Sequence, residues 1–212
     1  MPKPFAFLKQ SFAAFRTTGA VAPSSIFLAR AMVDVLPKKG HIPDGFRVLE
    51  VGPGTGPFTA AAAKRMDGNG RLDLWEINPE FVTVLKGRLE RERCFLKMGT
   101  RIRLHQGDVR ELAGRQTYDA VLSGLPFNNF SPQEVRGFLE HFRKLLKPGG
   151  ALAYFEYVAI RKLQAPFVSR ERRQRLKGIT QVVREFAAAH QVRQHIVPLN
   201  LPPARVRHLL FK

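Results

Sequence analysis

Three glycines at alternate positions, Gly52, Gly54 and Gly56 in EVGPGTG, follow a short apolar run. Glycine lets the backbone turn sharply and lets a ligand come close to the main-chain amides. A nicotinamide fingerprint would need its third glycine at position 57, where Pro57 stands instead. Glu76 closes the next apolar run, RLDLWEI, and an acidic residue there can accept hydrogen bonds from both hydroxyls of a ribose. Asp108, in QGDV, can accept from an exocyclic adenine amine. Together these groups describe a site for an adenosine that carries no pyrophosphate. A fourth run, YDAVL, leads into SGLPFNNF at 123–130, which puts a proline, an aromatic ring and two asparagines where an ordinary turn would suffice.

Such groups meet only if the elements carrying them are arranged to point them at one place. FRVLEV (46–51) reads as a strand and residues 57–66 as a helix. RLDLWEI (71–77) is strand-like, residues 78–92 have helical spacing, and RIRLHQGD (101–108) alternates as a strand. YDAVLSGL (118–125) is a further strand, and Ser131 with Pro132 caps and opens a helix to Leu146. KPGG (147–150) is expected to stop that helix before the strand ALAYFEYV (151–158). A helix over 169–189 and two strand-like segments, 192–197 and 205–211, complete the chain. Strands alternating with helices predict a parallel sheet covered on both faces. Ligands of such sheets lie at the carboxyl ends of the strands. GPGTG, Glu76, Asp108 and GLPF all fall at such ends.

As a set, EVGPGTG, LWEINPE, GDV and the late KPGG resemble the class I S-adenosylmethionine-dependent methyltransferases over about residues 46–158. The resemblance implies a Rossmann-like α/β fold, with a seven-stranded, mostly parallel sheet whose last strand is antiparallel. It implies S-adenosyl-L-methionine as cofactor. Gly52, Gly54 and Gly56 would shape the methionine and ribose pocket, Glu76 would bind ribose and Asp108 adenine. The implied cofactor set also takes in Glu50, Ile77 beside the adenine ring, Val109 and Ser123.

SGLPFNNF invites two further comparisons. The ribosomal RNA adenine dimethyltransferases carry a motif similar to Leu125, Pro126, Phe127 and Asn128, preceded by an asparagine that accepts from the target amine. Gly124 stands there in this chain, which counts against a nucleobase acceptor. The bacterial phosphatidylethanolamine N-methyltransferases look similar at S-G-L-P. GAVAPSSIFLARAM (19–32) and NLPPARVRHL (200–209) also resemble segments of that family. This resemblance implies methylation of a lipid head-group amine, phosphatidylethanolamine first, with an ornithine lipid in the same class. The backbone of Gly124 and Leu125 would face the amine, and Phe127 would cover it and its cationic products through a cation–π contact. Tyr157 and Glu156, at the end of strand five, are the nearest polar groups for the amine proton. RNA adenine methylation is the alternative, and a non-catalytic cofactor-binding module a third reading.

The composition bears on the partner. With 35 Lys and Arg against 17 Asp and Glu, the chain carries +18, which fits a polyanion: an anionic membrane surface or nucleic acid. Phe5, Leu8, Phe12 and Phe15 share one helical face with Lys3, Lys9 and Arg16 around them, the pattern of an interfacial helix. Residues 161–193 hold a second basic cluster, including Arg170, Arg172, Arg173 and Arg175. The chain shows neither a signal peptide nor a membrane-spanning run, so a cytoplasmic protein peripheral to the inner face of the membrane is expected. Residues 1–40 are read as a helical extension and 41–212 as the catalytic domain. The single Cys94 leaves no internal disulfide or cysteine zinc cluster, and the six histidines show no metal-ligand spacing.

Overall fold

The computed structural model describes residues 24–158 and 170–212. The interfacial helix read over 3–16, and Arg161 and Lys162 of the basic cluster, lie outside the described residues. In chain order the elements are α1 (Ile26–Val33), β1 (Arg47–Val51), α2 (Pro57–Met66), β2 (Arg71–Glu76), α3 (Pro79–Leu89) and α4 (Arg93–Met98). There follow β3 (Ile102–Gln106), β4 (Tyr118–Ser123), α5 (Pro132–Leu145), β5 (Leu146–Tyr157), α6 (Arg170–His190), β6 (Gln191–Val197) and β7 (Ala204–Phe211).

The seven strands form one sheet in the order β3-β2-β1-β4-β5-β7-β6. β7 runs antiparallel to both of its neighbours, and the other pairings are parallel. The order reverses between β1 and β4, so the crevice of the sheet opens where EVGPGTG and SGLP end their strands. This is the Rossmann-like, seven-stranded, mostly parallel sheet that the resemblance implies, with β7 antiparallel.

Period-two burial in the strands splits the core in two. Val48, Leu72, Leu74, Ala120, Leu122 and Phe155 face one side, packed against Leu28 and Met32 of α1, Ala62 and Met66 of α2, and Phe95 and Met98 of α4. Leu49, Val121, Leu152 and Leu209 face the other, under Phe138, Leu139 and Phe142 of α5 and Ile179 and Val183 of α6. α1 thus belongs to the main core although it falls within the stretch read as an extension. The Nε2 atom of His208 on β7 lies 3.0 Å from the Ala31 carbonyl oxygen and helps to seat it.

Two elements differ from the sequence reading. The helix read over 78–92 ends at Leu89, and a second one, α4, starts at Arg93, because Glu92 is extended (φ −84°, ψ 128°) and Arg88 holds its carboxylate across the turn. The turn brings Phe95 and Met98 onto the core beside α2. KPGG does not separate α5 from β5 but sits inside the strand. Tyr118 pairs with Leu146 and Ala120 with Ala151, so β5 bulges around Gly149, whose φ is +76°. α5 has already ended, because Leu146 is extended (ψ 140°). At its other end the Ser131 cap is present, with Glu134 closing a reciprocal capping box.

Candidate active site

The glycine loop leaves β1 with Gly52, Gly54 and Gly56 all at positive φ (67°, 58° and 87°). L-residues rarely adopt these angles, and two of the positions are also crowded. A Cβ on Gly52 would stand 3.2 Å from Leu125 Cδ2, and one on Gly56 would stand 2.7 Å from Leu85 Cδ1. Around Gly54 there is nothing within 4 Å, so its carbon faces open space. The loop then feeds Pro57 into the first turn of α2, whose amide ends point back at the loop.

Glu76 fixes the opposite wall. Its Oε2 accepts from the Gly54 amide at 2.9 Å and its Oε1 from the Asn78 amide at 2.9 Å. Burial raises its pKa, and those amides pull against the rise. Each oxygen keeps a lone pair, so the carboxylate is oriented and can still take two hydroxyls. Asn78, which the sequence reading passed over, also caps α3 through its own side chain. Its signal was the N-P-E that follows the strand. Ile77 lies between these two residues, half-buried at the rim.

Asp108 sits at the end of β3 as expected, but its carboxylate is not idle. It accepts from the Arg110 backbone amide at 2.9 Å and forms a bidentate ion pair with the Arg110 guanidinium. Burial works to raise its pKa, but the Arg110 bonds and charge prevail and hold it below the usual carboxylate range. An adenine amine would therefore share this carboxylate with Arg110. Val109 is buried beside it in the second core cluster.

Glu50 is the most unusual group. It lies fully buried on β1 beneath the loop, and neither carboxylate oxygen has a hydrogen-bond partner. Burial pushes its pKa up to about 8 from an ordinary 4.5. Thr59 on α2 lies near enough to temper the rise, yet its hydroxyl also lacks a hydrogen-bond partner. An orphaned carboxylate under a glycine loop fits a ligand that brings positive charge, and the methionine end of S-adenosylmethionine carries an ammonium and a sulfonium. Between pH 4.5 and about 8 the folded, ligand-free protein holds a proton on Glu50 that the unfolded chain has released. Stability from this group is therefore complete below pH 4.5 and is lost as pH rises to about 8. A cation beside Glu50 favours the ionised form, so binding releases that proton. Cofactor affinity, measured by calorimetry, is expected to rise with pH up to about 8, by at most about tenfold per unit. In Glu50→Gln the pH dependence is expected to be flat, with weaker binding at the alkaline end. A wild-type profile as flat as that of the variant would remove Glu50 from the cation's environment.

The acceptor motif packs directly on the loop. The Gly124 amide donates to the Val51 carbonyl at 2.8 Å, so it is not available to a substrate. A Cβ at Gly124 would fall far inside 3.0 Å of the Gly52 carbonyl oxygen. Glycine is therefore needed here for a close backbone approach. Ser123 is buried, with its hydroxyl 3.4 Å from the Leu125 amide, and Leu125 half-covers the loop.

Two expectations at this site need correction. Phe127 does not lie open over the acceptor space. It is 3% exposed and packs on the Tyr154 ring at 5.3 Å in the α5–α6 side of the core. Tyr157 is not placed as a base either, since it lies on the opposite face of the sheet, edge-on to Phe155 at 5.2 Å. Burial raises its pKa, which keeps the phenol protonated. Glu156, one residue earlier, faces the Phe127 side and accepts from Arg207 Nε at 2.7 Å. On this side three further polar atoms are buried without a hydrogen-bond partner: Tyr154 Oη, Arg175 Nε and Arg205 Nε. Arg205 pairs in register with Glu156 near the carboxyl edge of β5, and Arg175 lies one turn before Ile179 on the inner face of α6. Among the described residues no cluster of metal-ligating side chains occurs.

Comparison with known proteins agrees with this geometry. The profile of a family described as Methyltransferase domain matches residues 48–150. The chain is 30% identical over 152 residues to an ornithine lipid N-methyltransferase of Singulisphaera acidiphila, covering 69% of this chain and 73% of that protein. It is also 30% identical over 124 residues to a ubiquinone/menaquinone biosynthesis C-methyltransferase of Chromobacterium violaceum, covering 58% of this chain and 48% of that one. Among solved structures, Pyrococcus horikoshii TYW2 in complex with MeSAdo superposes with a TM-score of 0.59 at 18% identity. The match covers 91% of this chain and 65% of that one. A SAM-dependent O-methyltransferase of Thermotoga maritima gives 0.55 at 17% identity, over 88% and 64% of the two chains. At these identities the two structures speak to the fold alone.

Proposed function

Because this chain belongs to the class I S-adenosylmethionine-dependent methyltransferases, we propose that it methylates the amine head group of a membrane lipid. The cofactor is S-adenosyl-L-methionine, which supplies the methyl group at a sulfonium. The observation that carries the lipid reading is the 30% identity to an ornithine lipid N-methyltransferase along 73% of that protein. Phosphatidylethanolamine is the leading acceptor, with an ornithine lipid in the same class.

The residues of the site support this reading chemically. Methyl transfer to an amine is an in-line displacement, and the protein's main task is alignment. Glu76 and the glycine loop would hold the cofactor from one side of the crevice, and Gly124 with Leu125 would form the facing wall. Position 124 carries no side chain that could accept from a weakly nucleophilic adenine amine. An aliphatic amine needs no such acceptor once it has lost its proton. Arg175 and Arg205 offer cationic side chains with unpartnered Nε atoms, suited to the phosphate or carboxylate that accompanies the amine in such head groups.

The test is to incubate the protein with labelled S-adenosylmethionine, vesicles containing phosphatidylethanolamine and ornithine lipid, and total RNA together. Label is expected in the lipid extract. The second reading, RNA adenine methylation, draws on LPFN and the +18 charge. Label in RNA with none in lipid would establish it and overturn the first.

A further inference from the structure

The loop between β6 and β7 has its polarity reversed. Asn200 is buried, while Leu199 and Leu201 on either side of it are 67% and 74% exposed. The inward position of the asparagine is fixed by three hydrogen bonds. Its Oδ1 accepts from the Ser25 amide at 2.9 Å, its Nδ2 donates to the Pro202 carbonyl at 2.8 Å, and its own amide donates to the Val197 carbonyl at 3.4 Å. With Asn200 held inside, the two leucines are held out. The Ser25 bond also brings up the first turn of α1, where Ile26 and Phe27 are 59% and 46% exposed. Four large apolar side chains from two distant segments are thus tied together at one place and left in water. Isolated exposed leucines are ordinary, whereas a cluster held out by a buried polar clamp calls for an occupant.

Its position and charge indicate that occupant. β6 ends and β7 begins at the carboxyl edge of the parallel strands, the same edge as the glycine loop and SGLP. α6 leads straight into the foot of β6, so its first turn lies at this edge too, with Arg170, Arg172 and Arg173 exposed on it. Arg30 is exposed on α1. An apolar tip flanked by basic side chains complements an anionic bilayer, whose headgroups take the cations and whose acyl boundary takes the leucines.

We propose that Ile26, Phe27, Leu199 and Leu201 form a membrane-insertion tip that seats the mouth of the crevice on an anionic lipid bilayer. The inference rests on the lipid reading of the site and adds the surface by which the lipid is reached. Asn200 acts as a positioning residue that holds the leucines outward.

The test uses the full chain and sedimentation with phosphatidylglycerol–phosphatidylcholine vesicles in the absence of cofactor. The Leu199→Ser/Leu201→Ser double variant should lose about tenfold or more in vesicle partition, because each leucine forfeits its apolar burial. Both substitutions are at exposed positions, so the melting temperature should be unchanged. In a second variant, Leu201→Trp, brominated acyl chains should quench the new indole while leaving Trp75 emission as in wild type. Wild-type partition by the serine variant, or an unquenched indole at position 201, would overturn the proposal. A tip that instead pairs two copies of the chain, seen as a dimer dissolved by the same serines without vesicles, would also overturn it. Failure of the lipid reading looks different: vesicle binding would be normal and leucine-dependent, yet no amine lipid would be methylated.

Discussion

Glu76→Ala is expected to bind S-adenosylmethionine at least about 100-fold more weakly than wild type while remaining folded. The loss has two parts. The first lies within the protein: the carboxylate bridges the amides of Gly54 and Asn78, at 2.9 Å each, and so ties the glycine loop to the start of α3. Charge-assisted hydrogen bonds of this kind contribute about 1.5–3 kcal/mol each, and without them the loop must be ordered by the ligand. The second part is the direct acceptance of ribose hydroxyls by the remaining lone pairs. The fold is spared because removing a carboxylate whose pKa burial has raised also removes its desolvation cost. Glu76→Gln, which keeps one carbonyl acceptor, should fall between the two. Calorimetric titration with the cofactor and a thermal melt of each apo variant make the measurement. An alanine variant that binds normally would overturn both parts and remove Glu76 from the cofactor site.

How much of this is legible in the sequence follows from what kind of constraint each residue meets. Gly52, Gly54, Gly56 and Glu76 answer to local requirements, a left-handed turn and an acidic strand end, and local requirements show in spacing. The alternating apolar positions of β1, β2 and β4 are legible for the same reason. α1 was not, since the short IFLARAMV carries too little pattern to declare its packing on Met66 and Phe155. Asp108 was found, but its ion pair with Arg110 depends on a tight 3-10 turn that spacing does not announce. Glu50 reads as an ordinary motif residue, and only the depth of β1 makes it an orphaned carboxylate with its pKa pushed up to about 8. Phe127 is misplaced because the 3-10 turn over Phe127–Asn129 tucks its ring into the core, and Tyr157 because its strand assigns faces by parity, so that one residue of difference sends a side chain to the other core. Gly124 is the sharpest case. Its lack of a side chain is plain in the sequence, but the reason for it is the approach of two backbone segments 72 residues apart, at Gly52 and Gly124.

That reason gives the second large effect. Gly124→Asn, which would install the side chain that nucleobase enzymes carry at this point, is expected to damage the site without creating RNA adenine methylation. The new Cβ would press on the Gly52 carbonyl well inside 3.0 Å, with the Val51 carbonyl oxygen at 3.3 Å behind it. These are backbone atoms, so neither can swing aside as the end of a side chain could. Relief requires β4 and the glycine loop to part, at the expense of the Gly124–Val51 hydrogen bond and the turn that positions Gly54. Overpacking of this kind costs about 1–3 kcal/mol in stability. Cofactor affinity should fall by about tenfold or more, since each 1.4 kcal/mol spent on restoring the loop is a factor of ten. Gly124→Ala should show nearly the whole effect, because the clash begins at Cβ. Gly137→Ala is the control, for a Cβ there meets nothing within 4 Å and lies inside α5. It should stabilise the protein by about 0.5–1 kcal/mol through helix propensity. Melting curves, cofactor titration and labelling of RNA and lipid extracts separate the outcomes. A folded Gly124→Asn variant that keeps its cofactor affinity and labels adenine in RNA would show that the glycine selects the acceptor and not the packing of the loop, and would put the nucleobase reading ahead of the lipid one.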